Sequence, residues 1–232
     1  MPEVLDEDPG TFHSRPFDGP LSANGQSSGA LWVPALAAQK TLVLGSSQSP
    51  DTVDAVHLQS AGIDTVKRRS GGGAVLVSSE DLIWFDVVID ATHPQWNPDV
   101  SQSFEWLGRA CQRGLQHHDI DTTMRTGRLE TSQWSRLICF AGLGPGELTY
   151  DGKKVVGMSQ RRTRNRARFQ VAILRRWSGA EHADVLANGE LVRAGKSRAE
   201  VAEELEGIAT GVANSPTELL DAIFHELQDP QM

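Results

Sequence analysis

Residues 82–90 read LIWFDVVID, a nine-residue run crowded with β-branched and aromatic side chains. Such a run, apolar on both faces, is predicted to be a central strand and not an edge. The chain must therefore build a sheet around it. A tight break at Ser78–Asp81 separates it from GAVLV (73–77), and the two runs predict an antiparallel hairpin. TLVLG (41–45), RLICFAGLG (136–144), ELTYDGKKVVGMSQ (147–160) and RFQVAILRRW (168–177) read as further strands, with YDGK as a hairpin turn. Helices are expected where the period changes. One starts at Ser49 or Asp51 and stops at Gly62. Another over 99–118 places Phe104, Leu107, Ala110, Cys111 and Leu115 on one face. SRAE at Ser197 and SPTE at Ser215 read as capping boxes opening two terminal helices, over 198–208 and 216–228. Strands, a long helix, more strands and terminal helices make an α+β chain. Residues 1–30, rich in Pro, Gly, Ser and Asp, read as a loop-rich arm. Residues 31–180 read as the main sheet-and-helix domain, and 181–232 as a helical segment packed on it.

Composition narrows the partners. The net charge of −8 disfavours general affinity for nucleic acid or anionic membrane. The acidic start MPEVLDEDPG lacks the apolar core of a signal peptide, and no run approaches the ~18 apolar residues of a membrane span. Two cysteines outside any CxxC motif fit a reducing compartment, so the expectation is a cytoplasmic protein. The histidines show no metal-ligand spacing, so no metal site is assigned.

Chemistry concentrates in three stretches. In KRRSGGGAVLV (67–77), cations and Ser70 precede Gly71, Gly72 and Gly73. This is a tight turn, or a loop whose backbone lies against an anionic ligand. It fits neither a Walker loop nor a dinucleotide fingerprint. Arg68 and Ser70 share a face, from which the arginine fork can clamp a carboxylate or phosphate. In DGKKVVGMSQRRTRNRAR (151–168), strand alternation sends Lys154 and Lys153 to opposite sides. The five arginines from 161 to 168 are either a solvated turn or a dock for an acidic partner. In ICFAGLGPGE, Cys139 sits in an apolar strand. It is a buried structural thiol, or a nucleophile if a cation such as Lys154 stands beside it.

The ordered set LVLGSSQ, KRRSGGGAV and GKKVVGMSQRR resembles the lipoate–protein ligase A family, within the biotin/lipoate ligase and octanoyltransferase superfamily, over residues 31–176. The resemblance implies a mixed, mostly antiparallel sheet flanked by helices. It implies that Arg68, Ser70, Gly71, Gly72, Gly73, Ala74, Gly157 and Gln160 bind substrate. Lys154 would contact the carbonyl and phosphate oxygens of an activated acyl group. The leading expectation is a lipoate–protein ligase. With ATP and Mg2+ it would convert lipoate (or octanoate) to lipoyl-AMP, then transfer the acyl group to a lysine of an acidic lipoyl-acceptor domain. The position of Cys139 resembles the nucleophile of octanoyltransferases that carry an acyl thioester and use no ATP, which is the alternative; a non-catalytic ligand-binding homologue is the other. Val77 and Ser78 stand where the family commonly has His-Asp, and Gln170, Val171 and Ala172 where it has His-Gly-Ser.

Overall fold

The structure, a computed structural model, describes residues 2–17 and 28–228. The central run forms strand β6 (Leu82–Asp90). With β1 (Glu3–Leu5), β2 (Gly29–Pro34), β7 (Thr123–Met124), β10 (Leu148–Tyr150), β11 (Lys153–Arg162) and β12 (Arg166–Leu174), it makes a seven-stranded sheet ordered β1-β2-β6-β12-β11-β10-β7. Only the β1–β2 pair is parallel. The β10–β11 hairpin turns at Asp151 and Gly152, both at positive φ (49° and 77°), the geometry that favours an Asp-Gly pair.

A second sheet holds β3 (Thr41–Leu44), β4 (Asp64–Lys67) and β5 (Val75–Val77), in the order β4-β3-β5. Here a sequence expectation fails. β5 does not form a hairpin with β6: it pairs with β3, while β6 pairs with β2 and β12. Both strands are buried on both faces, so neither carries the in–out alternation that specifies a partner. The Ser78–Asp81 turn, tied by Ser78 Oγ donating to Asp81 Oδ2 at 2.8 Å, instead carries the chain from one sheet to the other. A small ribbon of β8 (Glu130–Thr131) and β9 (Gly142–Leu143) completes the strands.

Seven α-helices occur among the described residues: α1 (Pro9–Ser14), α2 (Ala55–Ser60), α3 (Glu105–Gln116), α4 (Gly179–Asp184), α5 (Asn188–Ala194), α6 (Arg198–Glu206) and α7 (Pro216–Leu227). One face of the large sheet (Phe85, Val87, Phe169, Val171) packs on Leu107 and Leu115 of α3 and on Leu219, Ile223 and Phe224 of α7. The other (Trp32, Trp84, Val88, Ala172) packs on Val43, Val75 and Val77 of the small sheet and on Leu5, Phe12 and Phe17. The expected capping box at Ser197 forms with Glu200; the one expected at Ser215 does not, and α7 starts on Pro216 with no side-chain cap. Helices α4 and α5 were not anticipated, although Ser178 caps α4 through the backbone of Glu181, the same signature. No helix among the described residues is long and apolar enough to cross a membrane.

The expected loop-rich arm is, over residues 2–17, a strand and a helix; the part of that expectation over 18–27 lies outside the described residues. The reason is burial. Phe12 is 1% exposed and Phe17 6%, each contributing about 1.5–3 kcal/mol. The arm also completes a buried polar row. Strand register aligns Ser159, Gln170, Asp86 and Trp32 across β11, β12, β6 and β2. Asp86 ion-pairs with Arg168, whose guanidinium donates to the carbonyls of Phe12 and Arg15. Gln170 Nε2 lies 3.3 Å from His13 Nδ1.

Burial, then the charges of Arg68 and Arg168, push His13 down to about 3 from 6.5; burial pushes His182 down to about 4. Both are neutral in the folded protein at pH 6 and readily protonated when unfolded. Their depressed folded values mean that stability is fully present above about 6.5 and is lost as pH falls toward 4, by up to ~1.4 kcal/mol per unit per histidine. Denaturant titrations from pH 7 to 4 should show this decline, with a shallower slope for His13→Gln. Parallel slopes would contradict the assignment for His13.

Candidate active site

Arg68 follows β4, and its backbone N–H donates to Leu44 O at 2.9 Å, extending the small sheet by one residue. Its side chain turns inward and is 2% exposed. Nη2 donates to the carbonyls of Gly71 (2.8 Å) and Gly73 (2.9 Å), and Nη1 to Val43 O at 3.3 Å. The glycine loop is thus wrapped around a buried guanidinium. The two terminal nitrogens of the fork serve the protein's own backbone, while Nε is buried without a hydrogen-bond partner among the described residues.

The loop presses on the segment carrying Cys139. Ala74 N–H donates to Leu137 O, and Cys139 N–H to Ala74 O (2.8 and 2.9 Å). A Cβ at Gly73 would meet the backbone of Ile138 at 2.7 Å; one at Gly72, whose φ is +100°, would meet Arg68 Nη2 at 2.9 Å and Cys139 Sγ at 3.6 Å. Cys139 is not in a strand, as the sequence suggested, but opens a 3₁₀ turn over Cys139–Ala141. The segment pairs only briefly with the glycine loop, through the Ala74–Ile138 bridge, so its apolar character reflects burial under α4–α6. Its sulfur lies 3.8 Å from Arg68 Nη2. Cys139 is half-buried, whereas Cys111 is fully enclosed in the core and burial pushes its thiol up.

Lys154 approaches the same turn from β11. The strand alternation holds: Lys154 is 4% exposed, while Lys153 reaches Glu206 O on the other side at 3.3 Å. Lys154 Nζ donates to Cys139 O (3.2 Å) and Gly142 O (2.7 Å) and pairs with Glu147 Oε2 at 2.7 Å. The ammonium's three protons thus have three acceptors. Glu147, 5% exposed, also accepts from Gly144 N–H (2.6 Å) and Met158 N–H (2.8 Å). Sequence reading missed Glu147; placed after a Gly-Pro-Gly turn, it carried no sign of burial.

The structure therefore gathers Arg68, Gly72, Gly73, Ala74, Cys139 and Lys154, with Gly157 packed beneath Phe140 and Lys154. Ser70 joins the neighbouring polar row through Ser159 Oγ (3.0 Å) and Gln170. Gly71 fronts open space. Gln160 is directed elsewhere, to Ser103 Oγ at 2.7 Å. The five arginines do not form one docking face. Arg162 stacks on Trp96, Arg166 donates to Phe17 O, and Arg168 is buried. Of the two cations expected to meet a nucleotide, Lys154 has internal acceptors for all three protons, whereas Arg68 Nε is buried without a hydrogen-bond partner among the described residues.

Gly73→Ala is expected to cost about 1–3 kcal/mol by overpacking the Ile138 backbone, displacing Cys139, while Gly71→Ala changes stability by less than ~0.5 kcal/mol. Equal losses in thermal unfolding would contradict this assignment of space.

Residues 25–227 match the model of the lipoyl protein ligase A/B catalytic domain. Among curated proteins, the chain is 32% identical over 121 residues to octanoyltransferase LipM of Carboxydothermus hydrogenoformans, covering 52% of this chain and 44% of the relative. It is 30% identical over 129 residues to octanoyltransferase LipM of Kyrpidia tusciae, covering 53% and 46%. The chain thus spans less than half the length of these relatives. Among solved structures, a bipartite lipoate protein ligase from Thermoplasma acidophilum superposes with a TM-score of 0.66 at 18% identity, covering 87% of this chain and 71% of that one. Lipoate-protein ligase A bound with ATP gives 0.61 at 18% identity, over 86% and 70%. At such identities the likeness establishes the fold.

Proposed function

Because the chain belongs to the lipoyl protein ligase A/B catalytic family, we propose that it transfers an octanoyl or lipoyl group, through Cys139, from a thioester to a lysine of a lipoyl-carrier domain. One arrangement carries this reading. The Cys139 sulfur stands against the buried Arg68 guanidinium at 3.8 Å, on a turn clamped by the glycine loop and by Lys154. The octanoyltransferase relatives support it independently.

Cys139 Sγ attacks the thioester carbonyl and forms a new C–S bond. The donor C–S bond breaks, and the donor thiol leaves with the proton lost by the cysteine. The acceptor amine then attacks the acyl-cysteine. A C–N bond forms, the C–S bond breaks, and the proton returns to sulfur. Arg68 offsets negative charge on the sulfur in both steps, and Lys154 fixes the turn. ATP and Mg2+ have no step in this scheme.

The test is acyl transfer from an octanoyl-carrier thioester to an acceptor domain in nucleotide-free buffer. Product without ATP is expected. Lipoate-dependent pyrophosphate exchange, with no ATP-free product, would return the assignment to the ATP-dependent ligase that the glycine motif resembles.

A further inference from the structure

One buried imidazole has no part in the transfer scheme. His13 of α1 is buried, and the match to the family model begins at residue 25, beyond the arm that carries it. Its ring meets Trp84 edge-on, with centroids 4.9 Å apart, and its Nδ1 stands 3.3 Å from Gln170 Nε2. The donors and acceptors of the polar row allow one arrangement. Asp86 ion-pairs with Arg168 and accepts from Trp84 Nε1 at 2.8 Å, so it turns acceptor oxygens toward Gln170. Gln170 therefore presents its NH2 group to Asp86 Oδ2 at 3.3 Å and its carbonyl oxygen to Ser70. Ser70 gives its only hydroxyl proton to that oxygen at 2.5 Å, so Ser159 donates to Ser70 at 3.0 Å. The second amide proton of Gln170 goes to His13 Nδ1, which must be unprotonated, with the ring proton on Nε2. Burial, and the nearby charges of Arg68 and Arg168, keep the ring neutral.

We infer that His13 is a positioning residue for acyl transfer: by accepting from Gln170 it fixes the hydrogen-bonded chain that runs through Ser70 to Ser159, and with it the start of the glycine loop. This rests on the transferase reading and adds a residue to it. Ser70 is the link to the chemistry. It lies between Arg68 and Gly71, whose carbonyl accepts from Arg68 Nη2 at 2.8 Å, and its own carbonyl accepts from Ser46 N–H at 2.9 Å. A tethered Ser70 thus holds Arg68 against Cys139 Sγ. Without an acceptor at position 13, Gln170 keeps a buried N–H unmatched. Its amide cannot turn over to relieve this, because the carbonyl oxygen would then face Asp86. The glycine loop is the part of the chain with room to shift, since Gly71 fronts open space. Docking of the arm does not depend on the imidazole. Arg168 holds the carbonyls of Phe12 and Arg15 at 2.8 and 2.9 Å, and Asp8 caps α1 through Thr11 N–H at 3.0 Å.

His13→Leu and His13→Asn in the full chain separate positioning from packing. Both remove the imidazole, but the asparagine Oδ1 falls where Nδ1 stood and accepts from Gln170. For transfer from octanoyl-N-acetylcysteamine to an acceptor domain, kcat should fall about 10- to 100-fold in His13→Leu. KM should change little, and His13→Asn should restore most of kcat. Alkylation of Cys139 by iodoacetamide, mapped by peptide mass, should slow about fivefold or more in His13→Leu and recover in His13→Asn. Nitrogen NMR of the wild-type imidazole, with the His13 signals identified by their loss in His13→Asn, should show Nδ1 unprotonated at neutral pH. A protonated Nδ1, equal losses in the two variants, or alkylation at the wild-type rate in His13→Leu overturns the proposal. The tautomer is read on wild type, so it decides even where His13→Leu does not fold. A wild-type chain that takes up no octanoyl group counts against the transferase reading, whereas the alkylation rates and the tautomer still decide the role of His13.

Discussion

Lys154→Ala is expected to lower turnover by about 100-fold or more and also to cost about 3–5 kcal/mol of stability. Both losses have one origin. Lys154 Nζ holds the carbonyls of Cys139 and Gly142 and neutralises Glu147. Removing it frees the nucleophile's turn and leaves a carboxylate that is 5% exposed with only backbone N–H donors. The two effects separate in Lys154→Met combined with Glu147→Gln, which removes the buried charge as well. That double variant should regain most of the stability, and the turnover should stay low. Lys153→Ala, on the opposite face of the strand, should be nearly silent in both assays. If the double variant regained turnover along with stability, Lys154 would be only a structural residue.

Cys139→Ser is expected to reduce ATP-free acyl transfer on the order of 10³-fold or more, with thermal stability close to that of wild type. Serine keeps the size of the side chain at a half-buried position but is a far weaker nucleophile toward a thioester beside a lone guanidinium. Cys111→Ser is the control. It should spare the chemistry and destabilise the fold, because it places a hydroxyl in a fully buried apolar site. Full transfer activity in Cys139→Ser, measured as acylated acceptor, would make Cys139 a packing residue.

Much of the fold was legible because its signals are local. The Asp151–Gly152 pair specified the β10–β11 hairpin, and strand alternation sent Lys154 inward and Lys153 outward. Ser197 and Glu200, three residues apart, announced α6. What failed was non-local. β5 and β6 read as partners because they are adjacent in sequence, yet two runs buried on both faces carry no pairing code. Ser215 and Glu218 repeat the pattern at Ser197 without forming the box, since Pro216 and packing on α3 start α7 without it.

The site was legible in its parts and not in its geometry. The glycine motif, Lys154 and Cys139 were all visible in sequence. That Arg68 would turn away from solvent, and stand against a sulfur 71 residues later, depends on how β3–β5 meets the 134–141 segment. The loop's glycines were expected to make room for a ligand. Two of them make room for the protein itself, with Gly72 against Arg68 and Gly73 against Ile138. Glu147 was invisible because a carboxylate after Gly144 and Gly146 reads as an exposed turn, and only tertiary structure brings Lys154 onto it.

The central claim is that Cys139 carries the acyl group. Intact-protein mass spectrometry of the wild-type chain, incubated with an octanoyl thioester in nucleotide-free buffer, tests it most directly. The account predicts a gain of one octanoyl group, mapped by peptide analysis to Cys139, discharged by an acceptor amine and absent in Cys139→Ser. An enzyme that stays unmodified under these conditions, yet acylates an acceptor domain once ATP and free lipoate are supplied, would contradict it.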